Sequence, residues 1–288
     1  MAYISAVLSG IFILLAADVI IFQKRYAGLW GVPVDNVEAV STVIPYGAAA
    51  YIILALALII ISVRVIMKRY TNADAVVTVV LWGVMWLGAF AAGSIQEHYA
   101  WKNGFDGYLV LVMLRQIMSM FAVLLVLAAV MAAAAADCAA FVYNRRKVGK
   151  GLSKAAIAFS AVYIFATLIL MLLVREKPTI VIGVVVLWVG AAAAIIASAA
   201  VMSGKGGAVP LAVCLVLFAA ALGVLPLCNM IQSKIIAVTG GSEALADYGV
   251  VSGYCGFLNI LLYIGVALAV CAAARSVYQD KDTSERIE

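Results

Sequence analysis

Long uninterrupted runs of apolar residues are the feature of this sequence that most constrains its fold. Each run is about 20 residues long, the length that an α-helix needs to cross the hydrocarbon core of a bilayer. Of 288 residues, 67% are hydrophobic and 11% are charged, and the mean hydropathy is +1.16. A water-soluble domain of this size cannot cover so much apolar surface. We therefore predict an all-α integral protein of the cell membrane, with the lipid bilayer as its main solvent.

Eight candidate spans follow from that length. They lie at about 4–22, 43–66, 75–96, 108–136, 155–174, 179–202, 209–232 and 250–275. We predict that they form one transmembrane domain over 1–288, a polytopic helical bundle. The fourth span is longer than a bilayer requires, so its Ala-rich end at 132–136 is expected to tilt or to project into the cytoplasm. Pro178 is expected to start span six after a tight reversal.

The distribution of lysine and arginine predicts the orientation. The segments after spans two, four, six and eight hold twelve basic residues: Arg64, Lys68, Arg69, Arg145, Arg146, Lys147, Lys150, Lys154, Lys205, Arg275, Lys281 and Arg286. The other side holds six: Lys24, Arg25, Lys102, Arg175, Lys177 and Lys234. Basic residues are retained in the cytoplasm during insertion, so both termini are predicted to be cytoplasmic and the loops 23–42 and 233–249 external. The net charge of +5 then reflects topology and anionic lipid, and gives no support to nucleic-acid binding.

Cysteine and histidine usage argues against a resident metal. The five cysteines stand singly in apolar stretches, whereas zinc and iron–sulfur sites need clustered ligands, so we interpret them as small buried hydrophobic residues. His98 is the single histidine, so a haem held by two histidines of this chain is excluded. The external loops are also too short for a soluble domain, which starts near ~50 residues. No catalytic activity is expected of the chain on its own.

Polar side chains inside the spans are the candidate site, because each needs a partner or water at that depth. Asp18 would lie about 7 Å inside the external end of span one and Arg115 about 10 Å inside span four, at similar depth. The predicted pocket consists of Asp18, Arg115, Gln116, Asn229 and Asn259, and its external mouth of Gln23, Gln96, Glu97, His98 and Gln232. The alternative is a buried Asp–Arg pair that fixes helix register, with glutamines capping helix ends. Asp137, near Arg145 and Arg146, is expected to be a solvated or paired interface residue.

Three functions fit these features. The first is a small transporter or channel whose outward-facing pocket receives a solute or ion. The second is a haem-free membrane anchor subunit of a redox complex, with a quinone near Glu97, His98 and Arg115 and metals on partner chains. The third is a structural or assembly subunit, and a homo-oligomer is possible in each case. In its length, its span count and its small extramembrane mass the chain resembles the haem-free anchor subunits of molybdenum-containing reductases of the DMSO-reductase type. That resemblance implies the second function, while the spread of polar residues over four spans favours the first.

Short sequence matches suggest an internal repeat. Spans one, three and seven end in Phe22-Gln23, Ile95-Gln96 and Ile231-Gln232. Repeated helical units are common in transporters. Two-residue matches also arise by chance in a chain of such low complexity, so both interpretations stay open.

The orientation can be tested by mapping cysteine accessibility in intact cells. We expect 145–154 to be labelled only from the cytoplasm, and 23–42 and 233–249 only from outside, because of the uneven distribution of basic residues. External labelling of 145–154 would reverse the orientation and move the predicted mouth to the other side.

Overall fold

The structure is a computed structural model that describes residues 1–25, 44–69, 80, 105–144, 150–173 and 178–284. The helices in these ranges are α1 (Ala2–Ile21), α2 (Ile44–Ile66), α3 (Phe105–Asn144), α4 (Gly151–Leu173), α5 (Pro178–Met202) and α6 (Ala208–Ser284). All regular secondary structure in the described ranges is helical, as predicted. Pro178 begins α5, the position that its fixed φ and missing N–H favour.

Six helical segments in the described ranges are long and apolar enough to cross a membrane. They are Ala2–Ile21, Phe121–Ala140, Gly151–Leu172, Gly183–Met202, Ala208–Leu225 and Cys255–Gln279. A shorter apolar segment, Tyr51–Ile66, belongs to α2. The chain is therefore a multi-pass membrane protein. The count of eight spans and the cytoplasmic termini stay predictions, and the third span, 75–96, lies outside the described residues except for Val80, which is helical.

The helices bury small and polar residues and expose large apolar ones. The buried side chains of α4 recur every three or four positions: Ser153, Ala156, Ser160, Tyr163 and Thr167. Its exposed side chains include Val162, Phe165, Leu168, Ile169 and Leu172. A helix of a soluble protein has the opposite arrangement. Lipid solvates the exposed face, and small residues on the buried face let the helix backbones approach closely.

The chain divides into two compact units, Met1–Ala132 and Ala133–Glu288. In unit 1, α1 and α2 pack against the central part of α3 around a core that includes Phe12, Ala16, Leu58 and Ala128. The hydroxyl of Ser5 donates a hydrogen bond to the backbone oxygen of Ala128 at 2.8 Å. Unit 2 contains α4, α5 and α6, which pack on one another, and the end of α3.

Helix α6 reverses direction within its 77 residues. The rings of Phe218 and Tyr263 have centroids 6.1 Å apart, although a straight helix would separate these residues by about 68 Å. The backbone N–H of Gly207 also donates to Ser276 Oγ at 2.9 Å. The segments Ala208–Leu225 and Cys255–Gln279 are therefore antiparallel, and we call them the first and second arms of α6. The predicted loop 233–249 is instead helical, which keeps its backbone hydrogen-bonded near the membrane.

A glycine turn joins α5 to the first arm of α6. Gly204 has a φ of 75° and Gly207 a φ of 130°, backbone conformations that favour glycine. Gly204 follows the end of α5, where a residue of this conformation commonly terminates a helix. At Gly206 an added Cβ would lie 2.5 Å from Ser276 Oγ, so the turn packs directly on the second arm.

The Ala-rich part of α3 is buried against other helices, and its expected tilt or projection stays a prediction. Ala132, Ala134, Ala135 and Ala136 are all buried, and the helix continues to Asn144. Alanine allows close helix contact, so a run of alanines inside an apolar helix forms a packing surface. The helix therefore extends eight residues past the predicted end of the fourth span at 136.

Gly265 is the closest helix contact that a substitution can test. A Cβ added there would lie 2.5 Å from Ser160 Oγ and 3.2 Å from the Ser160 backbone nitrogen. We expect Gly265→Ala to lower the free energy of unfolding in detergent by about 1–3 kcal/mol, because the backbone of α4 cannot move aside cheaply.

Gly223→Ala is the matched control, because nothing lies within 4 Å of a Cβ at that position. Alanine is a better helix former than glycine by about 1 kcal/mol, so this variant should be as stable as the wild type or more stable. Equal losses in the two variants would contradict the close packing of α4 on the second arm.

Candidate functional site

A buried hydrogen bond joins α4 to the second arm of α6. The Tyr163 hydroxyl donates to Asn259 Oδ1 at 3.2 Å, and both side chains are more than nine-tenths buried. Asn259 belongs to the predicted pocket, and the structure places it on the same buried face as Tyr263, four residues further along. In a membrane interior a polar side chain without a partner is costly, so this bond stabilises the contact.

A second hydrogen bond joins α4 to α5. Trp188 Nε1 donates to Thr167 Oγ1 at 2.9 Å. The Thr167 hydroxyl lies 2.7 Å from the backbone oxygen of Tyr163, to which it donates in turn. We call the two interhelical bonds, Tyr163 to Asn259 and Trp188 to Thr167, the polar clamp. Through it, α4 holds α5 on one side and the second arm of α6 on the other.

The Tyr163 end of the polar clamp lies near the middle of α4. Tyr163 is about 18 Å along α4 from Gly151, in a helix about 35 Å long. Its groups are a phenol, an amide, a hydroxyl and an indole, all of them neutral. Such an arrangement fixes the register of three helices or binds an uncharged hydrogen-bonding group. Sequence reasoning singled out Asn259 but missed Tyr163, Thr167 and Trp188. The spacing of Ser160, Tyr163 and Thr167 along one helix face was the available signal.

Asp137 and Arg275 form an ion pair in unit 2. Arg275 Nε donates to one carboxylate oxygen of Asp137 at 2.7 Å, and a second guanidinium nitrogen donates to the other. Both side chains are partly exposed. This two-point geometry is the strongest that arginine offers a carboxylate. Of the two expectations for Asp137, solvated or paired, the structure shows the paired one. Its partner is Arg275, whereas Arg145 and Arg146, proposed as neighbours, lie outside the described residues.

Most of the predicted outer pocket lies beyond the described part of the chain. Residues not described are Gln96, Glu97 and His98, and side chains not described are those of Arg115, Gln116, Asn229 and Gln232. Asp18 lies one turn before the end of α1, where its backbone oxygen accepts from the N–H of Phe22 at 2.8 Å. Gln23 Oε1 is buried and has no hydrogen-bond partner among the described residues. The Asp18–Arg115 ion pair therefore stays a prediction.

The cysteines are free thiols, as expected of small apolar residues. Cys138, Cys214 and Cys271 are buried, and Cys228 and Cys255 are partly buried. Within the described ranges, no three His, Cys, Asp or Glu side chains come together as metal ligands.

Comparison with protein-family models, with curated proteins and with solved structures finds no match to this chain.

The Asp137–Arg275 pair can be tested by a double-mutant cycle. Asp137→Ala and Arg275→Ala should each lower the free energy of unfolding by about 1.5–3 kcal/mol, because each leaves one partly buried charge without its hydrogen bonds. The double variant should lose clearly less than the two single losses together. Lys205→Ala, at an exposed residue of the glycine turn, is the control and should change little. Strictly additive losses would show that the pair is not coupled.

Proposed function

We propose that this chain is the membrane anchor subunit of a larger redox complex and binds a quinone near its external rim. The observation that carries the proposal is how the described polar side chains are used. The polar clamp and the Asp137–Arg275 pair join helix to helix directly. Large residues of the same unit, such as Phe218 and Leu262, are fully buried. Such packing suits a rigid support for other chains.

The distribution of mass supports the same function. Nearly all of the described residues lie in helices, most of them apolar, so we place electron-transfer centres and a soluble active site on partner subunits. This is also the arrangement implied by the resemblance to the haem-free anchors described above. The quinone site proposed for such a subunit lies near Glu97, His98 and Arg115. A cation and hydrogen-bonding side chains at the membrane rim provide donors for quinone carbonyl oxygens. One feature differs from that class: the charge pattern predicts cytoplasmic termini, whereas the termini of those anchors are expected outside.

A small transporter or channel is the second candidate. It is favoured by the position of Asn259 and Tyr163 near mid-membrane, the depth at which many transporters bind their substrates. The residues predicted for the outer pocket would then form the way in from outside. Transport requires that polar groups become accessible in turn from each side, whereas an anchor requires only that they hold the helices in place.

Purification in mild detergent, followed by quinone extraction and liposome reconstitution, distinguishes the two. An anchor should co-purify with iron–sulfur or molybdenum-containing chains, carry about one quinone per complex, and show no flux of ions or small solutes. A lone homo-oligomer with solute flux and no quinone would overturn the anchor proposal in favour of transport. A lone protein with neither property would leave only the structural subunit.

Arg115→Gln should lower the amount of quinone extracted, because it removes a cation from the proposed rim site. Arg69→Gln is the matched control: it removes an equal charge from an exposed residue after the end of α2 and should leave the quinone content unchanged. Equal quinone content in the two variants would contradict the role proposed for Arg115.

A further inference from the structure

The two compact units bury equivalent positions along their first helices. The buried residues of α1 include Ala2, Ser5, Ser9, Phe12 and Ala16. Adding 151 to each of these residue numbers, as from Ser9 to Ser160, gives the buried residues of α4: Ser153, Ala156, Ser160, Tyr163 and Thr167. Five of the six buried residues of α1 match at one constant shift, and the sixth, Val19, falls on the partly buried Leu170. This agreement indicates that α1 and α4 bury the same face.

The second helices agree equally well. The described buried residues of α2 are Ala48, Leu54, Ala55, Leu58, Ile61 and Ser62. A shift of 136 residues, as from Ser62 to Ser198, places each on a buried residue of α5. The same shift places the exposed Ile53, Leu56 and Ile60 on the exposed Val189, Ala192 and Ile196. Ser62 and Ser198 are also alike in detail, because each has a buried hydroxyl for which the described residues provide no hydrogen-bond partner.

Contacts between helices provide an independent check. In unit 1, Ser5 of α1 contacts Ala128 of α3 through its hydroxyl. A shift of 137 residues relates the buried Leu125 and Ala132 of α3 to the buried Leu262 and Ala269 of the second arm of α6. Applied to the contact between Ser5 and Ala128, the shifts of 151 and 137 residues predict that Ala156 contacts Gly265. A Cβ added at Gly265 would indeed lie 3.4 Å from the Ala156 backbone oxygen.

The same equivalence shows where the units differ. The positions of the polar clamp in unit 2, Tyr163, Thr167, Trp188 and Asn259, correspond in unit 1 to Phe12, Ala16, Ile52 and Ala122. All four unit 1 residues belong to one apolar cluster, so they also lie together in space. A framework of this kind therefore packs without the clamp. The hydroxyl and amide groups of unit 2 are additions to it.

We infer that the chain is a tandem duplication of one helical unit, in which unit 2 has acquired the polar clamp and unit 1 has kept apolar contacts at the same positions. The clamp fixes α4, α5 and the second arm of α6 in one register, because hydrogen bonds are directional. At the equivalent positions of unit 1 the contacts are apolar and not directional, although Ser5 of α1 still donates to the Ala128 backbone oxygen. Unit 1 is thus the half whose helix register is less constrained, and in which helix spacing changes more easily when a ligand or partner binds. This inference does not depend on the proposed function.

A transplanted clamp tests the equivalence directly. Phe12→Tyr combined with Ala122→Asn should recreate in unit 1 the bond between Tyr163 and Asn259. In the full-length protein in detergent, the double variant should have an unfolding equilibrium constant about threefold lower than the two single effects predict together. Phe12→Tyr with Val123→Asn is the control, because position 123 lies one residue, about 100° around the helix, from position 122. It should show no coupling.

Two results would overturn the inference. One is equal coupling at positions 122 and 123, or no coupling at either in variants that fold.

The other result comes from amide exchange in the wild-type protein, so it remains available if the transplanted-clamp variants do not fold. Backbone amide exchange in nanodiscs should be slower in α4 and α5 than in α1 and α2, and Tyr163→Phe with Thr167→Ala should remove most of that difference. Exchange in wild-type α1 and α2 as slow as in α4 and α5 would show that the clamp does not distinguish the units.

Discussion

Close approach of helix backbones inside the membrane is the constraint on which the rest of this structure depends. Lipid tails solvate leucine as well as a protein core does, so apolar area alone does not bring these helices together. Serine, alanine and glycine on the buried faces allow contact at short range, as Gly265 does against Ser160. Dispersion contacts and a few hydrogen bonds then supply the stability. The placement of small residues therefore determines which faces meet, and many of the large apolar residues face lipid, while others such as Phe12, Phe218 and Leu58 fill the core.

Polar residues add direction to this packing. Ser5 bonds to the backbone of α3 in unit 1, and the polar clamp bonds side chain to side chain in unit 2. Hydrogen bonds of this kind contribute on average only about 0.6 kcal/mol in membrane proteins, because the unfolded chain in lipid also finds partners. Their larger effect is on specificity: a helix that slides by one turn breaks them. That makes α4, which contributes to both bonds of the clamp, the central element of unit 2.

The sequence predicted the parts of the fold that depend on hydropathy and failed where pairing decides. The apolar runs predicted α2 and α5 to within one residue at each end, α1 to within two residues and α4 to within four. They could not show that α3 continues to Asn144 or that 233–249 is helical, because alanine, glycine and serine are compatible with either a helix or a loop. Asn259 was identified because an amide in an apolar run is conspicuous. Tyr163 and Trp188 were missed, because aromatic residues in such runs usually face lipid or pack. Local dipeptide matches relate spans one, three and seven, whereas the duplication inferred from the buried faces relates one with five and two with six.

The inferred duplication bears on the charged residues that the sequence places in unit 1. With the shifts established for α1 and α3, Asp18 corresponds to Ile169 and Arg115 to Ser252. Ile169 is exposed on α4, and unit 2 packs without a charge at either position. A charged pair is therefore not a requirement of the shared framework. Burying an ionisable residue within a span costs desolvation free energy. Because unit 2 adopts the same fold without these two charges, holding the helices together does not explain why unit 1 has them. This argument favours a binding role for Asp18 and Arg115 over a role in helix register. It also places that role in the unit whose helices lack the clamp, where a small change of spacing can accompany binding.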